Sequence, residues 1–275
     1  MLVQSRFVFA FLALSALSVI ACGFSEKAEA QVSPKPVTMN HPGPKPVLVE
    51  LFTSQGCSSC PPADAVLQAL AEETEKGEAE VIALSYHVDY WNRLGWRDPY
   101  SQAAFSDRQR IYARHINDRG VYTPQLVING QSGHIGSRQR EVRAAIAEAN
   151  LLPVEIEAAA TWSKQENTIR IDYNLSETRD QATLQLALVS TEVENEVPRG
   201  ENRGRHLSHT NVVRELISIE QTDTKGSYSV DLPADLQGNS DLAVVLFVQN
   251  TRNMAVLGTS ALVVPSLASG DARGR

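Results

Sequence analysis

The sequence predicts an α/β domain over residues 47–150 followed by a β-rich, sandwich-like domain over 153–266. Three observations carry this expectation. Up to residue 150, short apolar runs alternate with segments of helical periodicity. After Pro153, seven strand-like stretches succeed one another with turn residues between them and no helical pattern. The chain has 275 residues, enough for two ordinary domains, and its 43% hydrophobic and 21% charged content is that of a globular protein.

The N-terminus reads as a signal peptide over 1–30. Arg6 precedes an apolar run, Phe7–Ala21, that carries no charge and is shorter than the roughly 20 residues a membrane-spanning helix needs. Two processing sites compete. Val19-Ile20-Ala21-Cys22 fits a lipoprotein signal, in which Cys22 would become a lipid anchor, and Ala28-Glu29-Ala30 fits ordinary cleavage. Either way the protein is expected to be exported to the periplasm, membrane-anchored if Cys22 is lipidated. A Pro-rich linker over 31–46 follows, and the polar tail 267–275 reads as disordered. A net charge of −7 argues against nucleic acid as a partner, because phosphate binding needs a basic surface.

Within the first domain, Val47–Thr53 is a nearly continuous apolar run, suited to a buried parallel strand. Ala63, Val66, Leu67 and Leu70 then recur at helical spacing, and Gly77 marks the helix end. Val81–Tyr86 reads as a second buried strand. Asp98-Pro99 looks like a helix start, with Asp98 as cap. Gln125–Ile128, the Asn129-Gly130 turn and Gln131–Ile135 form a hairpin. A last helix presents Val142, Ala145, Ile146 and Ala149, with Ser137 as its cap. In the second domain the strands are Val154–Ala160, Thr168–Asn174, Thr183–Thr191, Asn211–Ile219, Ser227–Leu232, Leu242–Asn250 and Val256–Val264.

The chemistry concentrates at Gly56-Cys57-Ser58-Ser59-Cys60-Pro61-Pro62, between a strand and a helix. A bridge across two residues closes a tiny loop and removes little unfolded-state entropy, so this pair suits redox chemistry or half of a metal site. At a helix entrance, unpaired amides and the helix dipole stabilise a thiolate. Cys57 is expected to be the exposed attacking sulfur and Cys60 the resolving one. Pro61 and Pro62 disfavour helix at Cys60 and Pro61 and predict a delayed helix start.

This strand–Cys-x-x-Cys–helix unit, with Thr123-Pro124 just before an apolar strand, resembles the thioredoxin superfamily. The resemblance implies a thioredoxin-like fold for 47–150, a cis Pro124 beside the cysteines, and a Thr123 backbone that meets an extended substrate. More closely, Glu50–Asp64 and His87-Val88-Asp89-Tyr90-Trp91 resemble an exported thioredoxin-like family of unknown function, DUF1223. Gly56 replaces the aromatic residue that precedes the first cysteine in thioredoxin, and the central dipeptide is Ser58-Ser59, so the pattern departs from a general disulfide reductase.

Other residues join the candidate site by position. His87 ends the second strand on the ligand edge of a parallel sheet, where it would either tune thiolate charge, shuttle protons or ligate a metal, or be simply a hydrogen-bonded strand-end histidine; Asp89 would orient it or solvent, or lie at the surface. Glu50 interrupts an apolar strand. Buried, it would relay protons to Cys60, and at an edge it would face water. Trp91, Trp96 and Tyr100 either line a peptide surface or pack the loop. The polar segment Arg199–His209 reads as a solvated loop, with His206 and His209 too few for a metal site alone.

Three functions follow. The first is a thiol–disulfide oxidoreductase of the cell envelope, acting on protein thiols or disulfides through Cys57, Cys60, Thr123, Pro124, His87 and Glu50, with no cofactor. The second is a copper(I) carrier with Cys57, Cys60 and His87 as ligands. The third is a non-catalytic binding module with a structural disulfide.

Overall fold

The computed structural model describes residues 46–264, apart from 117–119, 150, 164, 221–222 and 238–240. The signal peptide 1–30, the Cys22 anchor, all but the last residue of the linker 31–46, and the tail 267–275 lie outside the described residues. No helix among those described is long and apolar enough to cross a membrane.

The first half runs β1 (Val47–Thr53), α1 (Pro61–Glu75), β2 (Val81–His87), α2 (Ala103–His115), β3 (Gln125–Ile128), β4 (Ser132–Ile135) and α3 (Gln139–Ala147). The second half is β5 (Ile156–Ser163), β6 (Thr168–Leu175), β7 (Ala182–Glu196), β8 (His206–Glu220), β9 (Lys225–Asp231), β10 (Leu242–Asn250) and β11 (Val256–Val263). Each strand lies near its predicted position, because period-2 and continuous apolar patterns are local signals. The β3–β4 turn is the predicted one: Asn129 and Gly130 both have positive φ, and a Cβ on Gly130 would fall 2.0 Å from the Met254 carbonyl oxygen.

The architecture differs from the expectation. The chain is not an α/β thioredoxin-like domain followed by a β-rich sandwich-like domain. It is mostly β, and one mixed eight-stranded sheet, in the order β11-β10-β7-β8-β2-β1-β3-β4, takes strands from both halves of the sequence. A separate three-stranded sheet has the order β5-β6-β9. The junction is β2, whose free edge is taken by β8 running parallel, in register at Ser85 and Val212. A buried, unpaired strand edge is costly, and pairing it with β8 joins the halves. Periodicity locates strands but does not say which sheet they enter.

Both faces of the sheet are filled. Val49 and Leu51 of β1 and Val81 and Ala83 of β2 pack against Val66, Leu67 and Leu70 of α1. On the opposite face, Leu48, Phe52, Leu84 and Tyr86 meet Phe105 and Tyr112 of α2, and share that core with Val189, Val213, Val245 and Phe247 from the second half. A third cluster joins Ile169 and Ile171 of β6 to Leu186 of β7 and Val244 and Leu246 of β10, which packs the small sheet on the large one. Each fully buried side chain of this size contributes about 1.5–3 kcal/mol.

Helix starts also depart from the local signals. α1 begins directly at Pro61, with Cys60 in the helical region at φ −79° and ψ −38°. Proline in the first turn sacrifices no helical hydrogen bond, so the pair initiates the helix rather than delaying it. α2 begins at Ala103 rather than after Asp98, and α3 has Arg138 rather than Ser137 before its first residue.

Candidate functional site

β1 delivers the chain to the entrance of α1, where Cys57 and Cys60 form a disulfide. The Thr123–Pro124 peptide is cis, and Thr123 adjoins the bridge: its Oγ1 donates to Cys57 Sγ at 3.3 Å. Trp91 Nε1 donates to the same oxygen at 2.7 Å, which leaves the hydroxyl proton for sulfur. Ser59 Oγ lies 3.4 Å from Cys57 Sγ and donates to the Thr123 carbonyl at 3.5 Å. Gly56 is explained by this arrangement, since a Cβ there would sit 3.1 Å from Trp91 Cβ.

Two expectations for the cysteines are overturned. Cys57 is not the exposed member, because Cys57 and Cys60 are both 0% exposed. Free helix amides are not what surrounds the sulfur. Pro61 and Pro62 have no N–H, and the Ala63 and Asp64 amides both donate to the Cys60 carbonyl. The polar groups at Cys57 Sγ are side-chain hydroxyls.

The β7–β8 connection, Val197–Arg205, is fastened to the backbone of the Cys-x-x-Cys turn. Asn202, itself 0% exposed, donates through Nδ2 to the carbonyls of Gln55 and Cys57, both at 2.9 Å. Glu201 Oε2 accepts from the Ser58 amide at 3.1 Å, and hydrogen bonding from the Ser58 side chain and then this amide holds the Glu201 carboxyl below its usual range. Gly200 lies against the 92–96 turn, where a Cβ would be 3.2 Å from Trp96 Cβ. The segment expected to be a solvated loop is therefore a cap fastened to the Cys-x-x-Cys turn.

His87 is fully buried, and its Nδ1 meets Asp98 Oδ2 at 2.7 Å. Asp98 also accepts from the Gln55 and Tyr100 amides. Burial pushes the Asp98 carboxyl up, but His87 and these hydrogen bonds outweigh it and hold it below its usual range. Asp98 thus orients His87, the role expected of Asp89, which instead accepts from Ser106 Oγ at 2.5 Å. The ring of His209 stands 4.6 Å from that of His87, and its Nδ1 is 3.6 Å from Asp64 Oδ2. Burial lowers the His209 pKa, and Asp64 with Asp98 raises it further, so the net direction is up. Asp64 accepts from Thr53 Oγ1 at 2.8 Å, one helical turn after Cys60. His206 is exposed and pairs with Glu194 instead.

Glu50 is neither a proton relay to Cys60 nor an edge residue facing water. It is fully buried, in register on β1 with Leu48 and Phe52 on the face opposite α1. There it pairs with Arg108, whose Nε is 2.8 Å and Nη2 2.7 Å from Oε1, and it accepts a short hydrogen bond from Tyr112. Gln249 of β10 bonds both Arg108 and the Tyr112 hydroxyl, which ties the second half to this network. Trp96 and Tyr100 act as tethers: Trp96 Nε1 donates to Gln55 Oε1 at 3.0 Å, and the Tyr100 hydroxyl to Asn195 at 2.6 Å. The copper ligand set Cys57, Cys60 and His87 is not assembled. No group of three His, Cys, Asp or Glu side chains among the described residues is placed to hold a metal ion.

Asp98, Asp64, His209, Asn202 and Glu201 complete a site of which the sequence suggested Cys57, Cys60, Thr123, Pro124 and His87. A signal for Asn202 and Glu201 was present in the length and polarity of their loop.

Similarity to known proteins agrees with the architecture. No curated protein matches the chain. A crystal structure of a protein from Agrobacterium tumefaciens is 28% identical, with a TM-score of 0.61, over 84% of this chain and 100% of that one. HBP35 of Porphyromonas gingivalis is 14% identical, with a TM-score of 0.56, over 84% of this chain and 80% of its own, a likeness of fold alone. The match that names a family spans residues 48–249: the chain belongs to DUF1223, a family described as a protein of unknown function.

Proposed function

We propose that the protein is an exported thiol–disulfide exchange protein whose reactive bridge, Cys57–Cys60, sits in a turn to which a cap is fastened. The observation that carries this reading is the setting of Cys57 Sγ. It lies within 3.4 Å of two hydroxyls, Thr123 and Ser59, beside the cis Thr123–Pro124 peptide. A purely structural bridge needs no donor aimed at sulfur, whereas a thiolate leaving or attacking there is stabilised by the Thr123 hydroxyl that donates to it. Kinship of the β1–Cys57–α1 unit with the thioredoxin superfamily belongs to this reading and concerns that unit, not the overall architecture.

With the bridge oxidised, a thiolate of a partner dithiol attacks Cys57 Sγ, and the bond to Cys60 breaks with Cys60 leaving as thiolate. The partner's second thiolate then attacks its own sulfur in the mixed disulfide and releases the Cys57 thiolate. The partner loses two electrons, the Cys57–Cys60 pair gains them, and two protons from the partner thiols end on the cysteines or in solvent. Neither cysteine is exposed, so the turn must open first, and the cap fastened to its backbone is the element that moves.

A second reading, a binding module with a static bridge, is favoured by the full burial of both cysteines. Reduction potential separates the two. The exchange reading expects a value near about −200 mV, while structural bridges lie below about −300 mV. Trapping of mixed disulfides from the cell envelope by Cys60→Ser, and none by Cys57→Ser/Cys60→Ser, supports exchange. A potential below −300 mV with no trapped partner overturns it.

A further inference from the structure

The surface around the cap runs against the charge of the whole chain. The net charge is −7, yet the two touching segments 92–97 and 197–205 carry five arginines, Arg93, Arg97, Arg199, Arg203 and Arg205, and one acid, Glu201. All five are exposed, and among the described residues none makes an ion pair or a side-chain hydrogen bond. The segments meet where Gly200 packs on Leu94 and Trp96, and the second is bonded to the Cys-x-x-Cys turn, so the arginines sit on two adjoining segments next to that turn. Leu94 and Val121, each 40% exposed, add apolar surface next to the arginines and Thr123 respectively.

The cap indicates what kind of group the rim accepts. Glu201 places a carboxylate on the Ser58 amide, in the middle of the Cys-x-x-Cys turn. An acidic side chain is therefore already bound there from within the molecule. Arginine guanidinium forks pair with carboxylates in two-pronged fashion, and unpaired surface arginines raise the local concentration of anionic partners.

We propose that this arginine rim is a docking surface for an acidic, extended segment of a partner protein, and that docking displaces Glu201 and Asn202 from the turn. The inference rests on the exchange reading only for its purpose, delivery of a cysteine-bearing chain to Cys57; the binding itself requires no redox chemistry. Partner carboxylates pair with the five arginines, and one takes the place of Glu201 at the Ser58 amide. As Arg199, Arg203 and Arg205 lie on the cap itself, pairing with them pulls the cap toward the partner.

The probe is a fluorescent, cysteine-free peptide of alternating glutamate and serine, titrated into the full chain at 50 and 200 mM salt. Saturable binding that weakens at least tenfold across this salt range is expected, with a further tenfold loss in Arg93→Gln/Arg97→Gln and in Arg199→Gln/Arg203→Gln. All four positions are exposed, so folding is checked by an unchanged urea midpoint. The bound peptide is also expected to accelerate dithiothreitol reduction of the bridge at least fivefold. Binding that is unaffected by the arginine substitutions overturns the proposal, as does equal binding of a serine–glycine peptide. Tighter binding of phosphatidylglycerol vesicles or single-stranded DNA than of the peptide also overturns it, in favour of a membrane or nucleic-acid surface. Cys57→Ser/Cys60→Ser separates this proposal from the exchange reading: it retains peptide binding if docking is right, whatever its redox behaviour.

Discussion

The side-chain amide of Asn202 donates to the main-chain carbonyl of Cys57 at 2.9 Å, across 145 positions of sequence. Together with the bond to the Gln55 carbonyl, it makes closure of the disulfide cooperative with folding of the β7–β8 connection. Two such bonds contribute about 2 kcal/mol in total. Asn202→Ala is therefore expected to raise the population of the opened cap and to speed dithiothreitol reduction of the bridge by about tenfold to thirtyfold, with a loss of global stability no larger than about 2 kcal/mol. The check is reduction kinetics followed by alkylation and mass spectrometry. Equal rates in both proteins would mean that the cap does not gate access.

Thr123 links Trp91 to Cys57. Its hydroxyl accepts from the indole and so gives its own proton to sulfur. In the reduced protein that bond becomes charge-assisted, worth about 1.5 kcal/mol or more. In a Cys60→Ser background, Thr123→Val is expected to slow iodoacetamide alkylation of Cys57 at neutral pH by about tenfold, while Thr123→Ser retains most of the rate. Conserved rates in the valine variant would remove Thr123 from the chemistry.

Glu50 and Arg108 bear on the proton-relay expectation. Their pair is buried, and three aromatic rings, Tyr86, Tyr112 and Phe247, lie around the guanidinium. Breaking such a pair leaves an uncompensated charge, so Glu50→Gln is expected to cost about 3–5 kcal/mol in urea unfolding. Because Glu50 faces away from α1, the pH dependence of Cys57 alkylation is expected to match wild type. A changed profile would restore Glu50 to the thiol chemistry.

What was legible in the sequence follows a physical division between local and long-range signals. The strands, the Asn129-Gly130 turn and the Cys57–Cys60 unit are set by short-range pattern and were readable. The entry of β8 beside β2 was not, because a single register pair, Ser85 with Val212, leaves no periodic mark in either strand. Asp98 shows the same limit within the site. Beside Pro99 it has the local form of a helix cap, yet its carboxylate is claimed by His87 and the Gln55 amide from elsewhere in the chain. Glu50 read as either relay or edge because its partner Arg108 lies 58 positions away. Residues whose roles depend on a distant partner are those that one-dimensional reasoning misassigned.

His209 supplies a pH test of the buried cluster. It faces Asp64 at 3.6 Å, Asp98 beyond it, and the ring of His87, and its pKa is raised in the folded protein. A histidine of this kind binds its proton more tightly folded than unfolded. Its stabilisation is thus fully present below the unfolded value of about 6.5 and is lost as pH rises through the higher folded value. Asp98 has the opposite sign: its lowered pKa stabilises above the unfolded value of about 3.9 and is lost as pH falls through the folded one. Urea midpoints measured from about pH 2 to 9 are expected to decline above about pH 6.5 in the wild type, and His209→Gln should remove most of that decline while leaving the acid limb, below about pH 3.9, in place. If the variant keeps the full alkaline decline, another group titrates there and the Asp64–His209 pairing contributes nothing to stability.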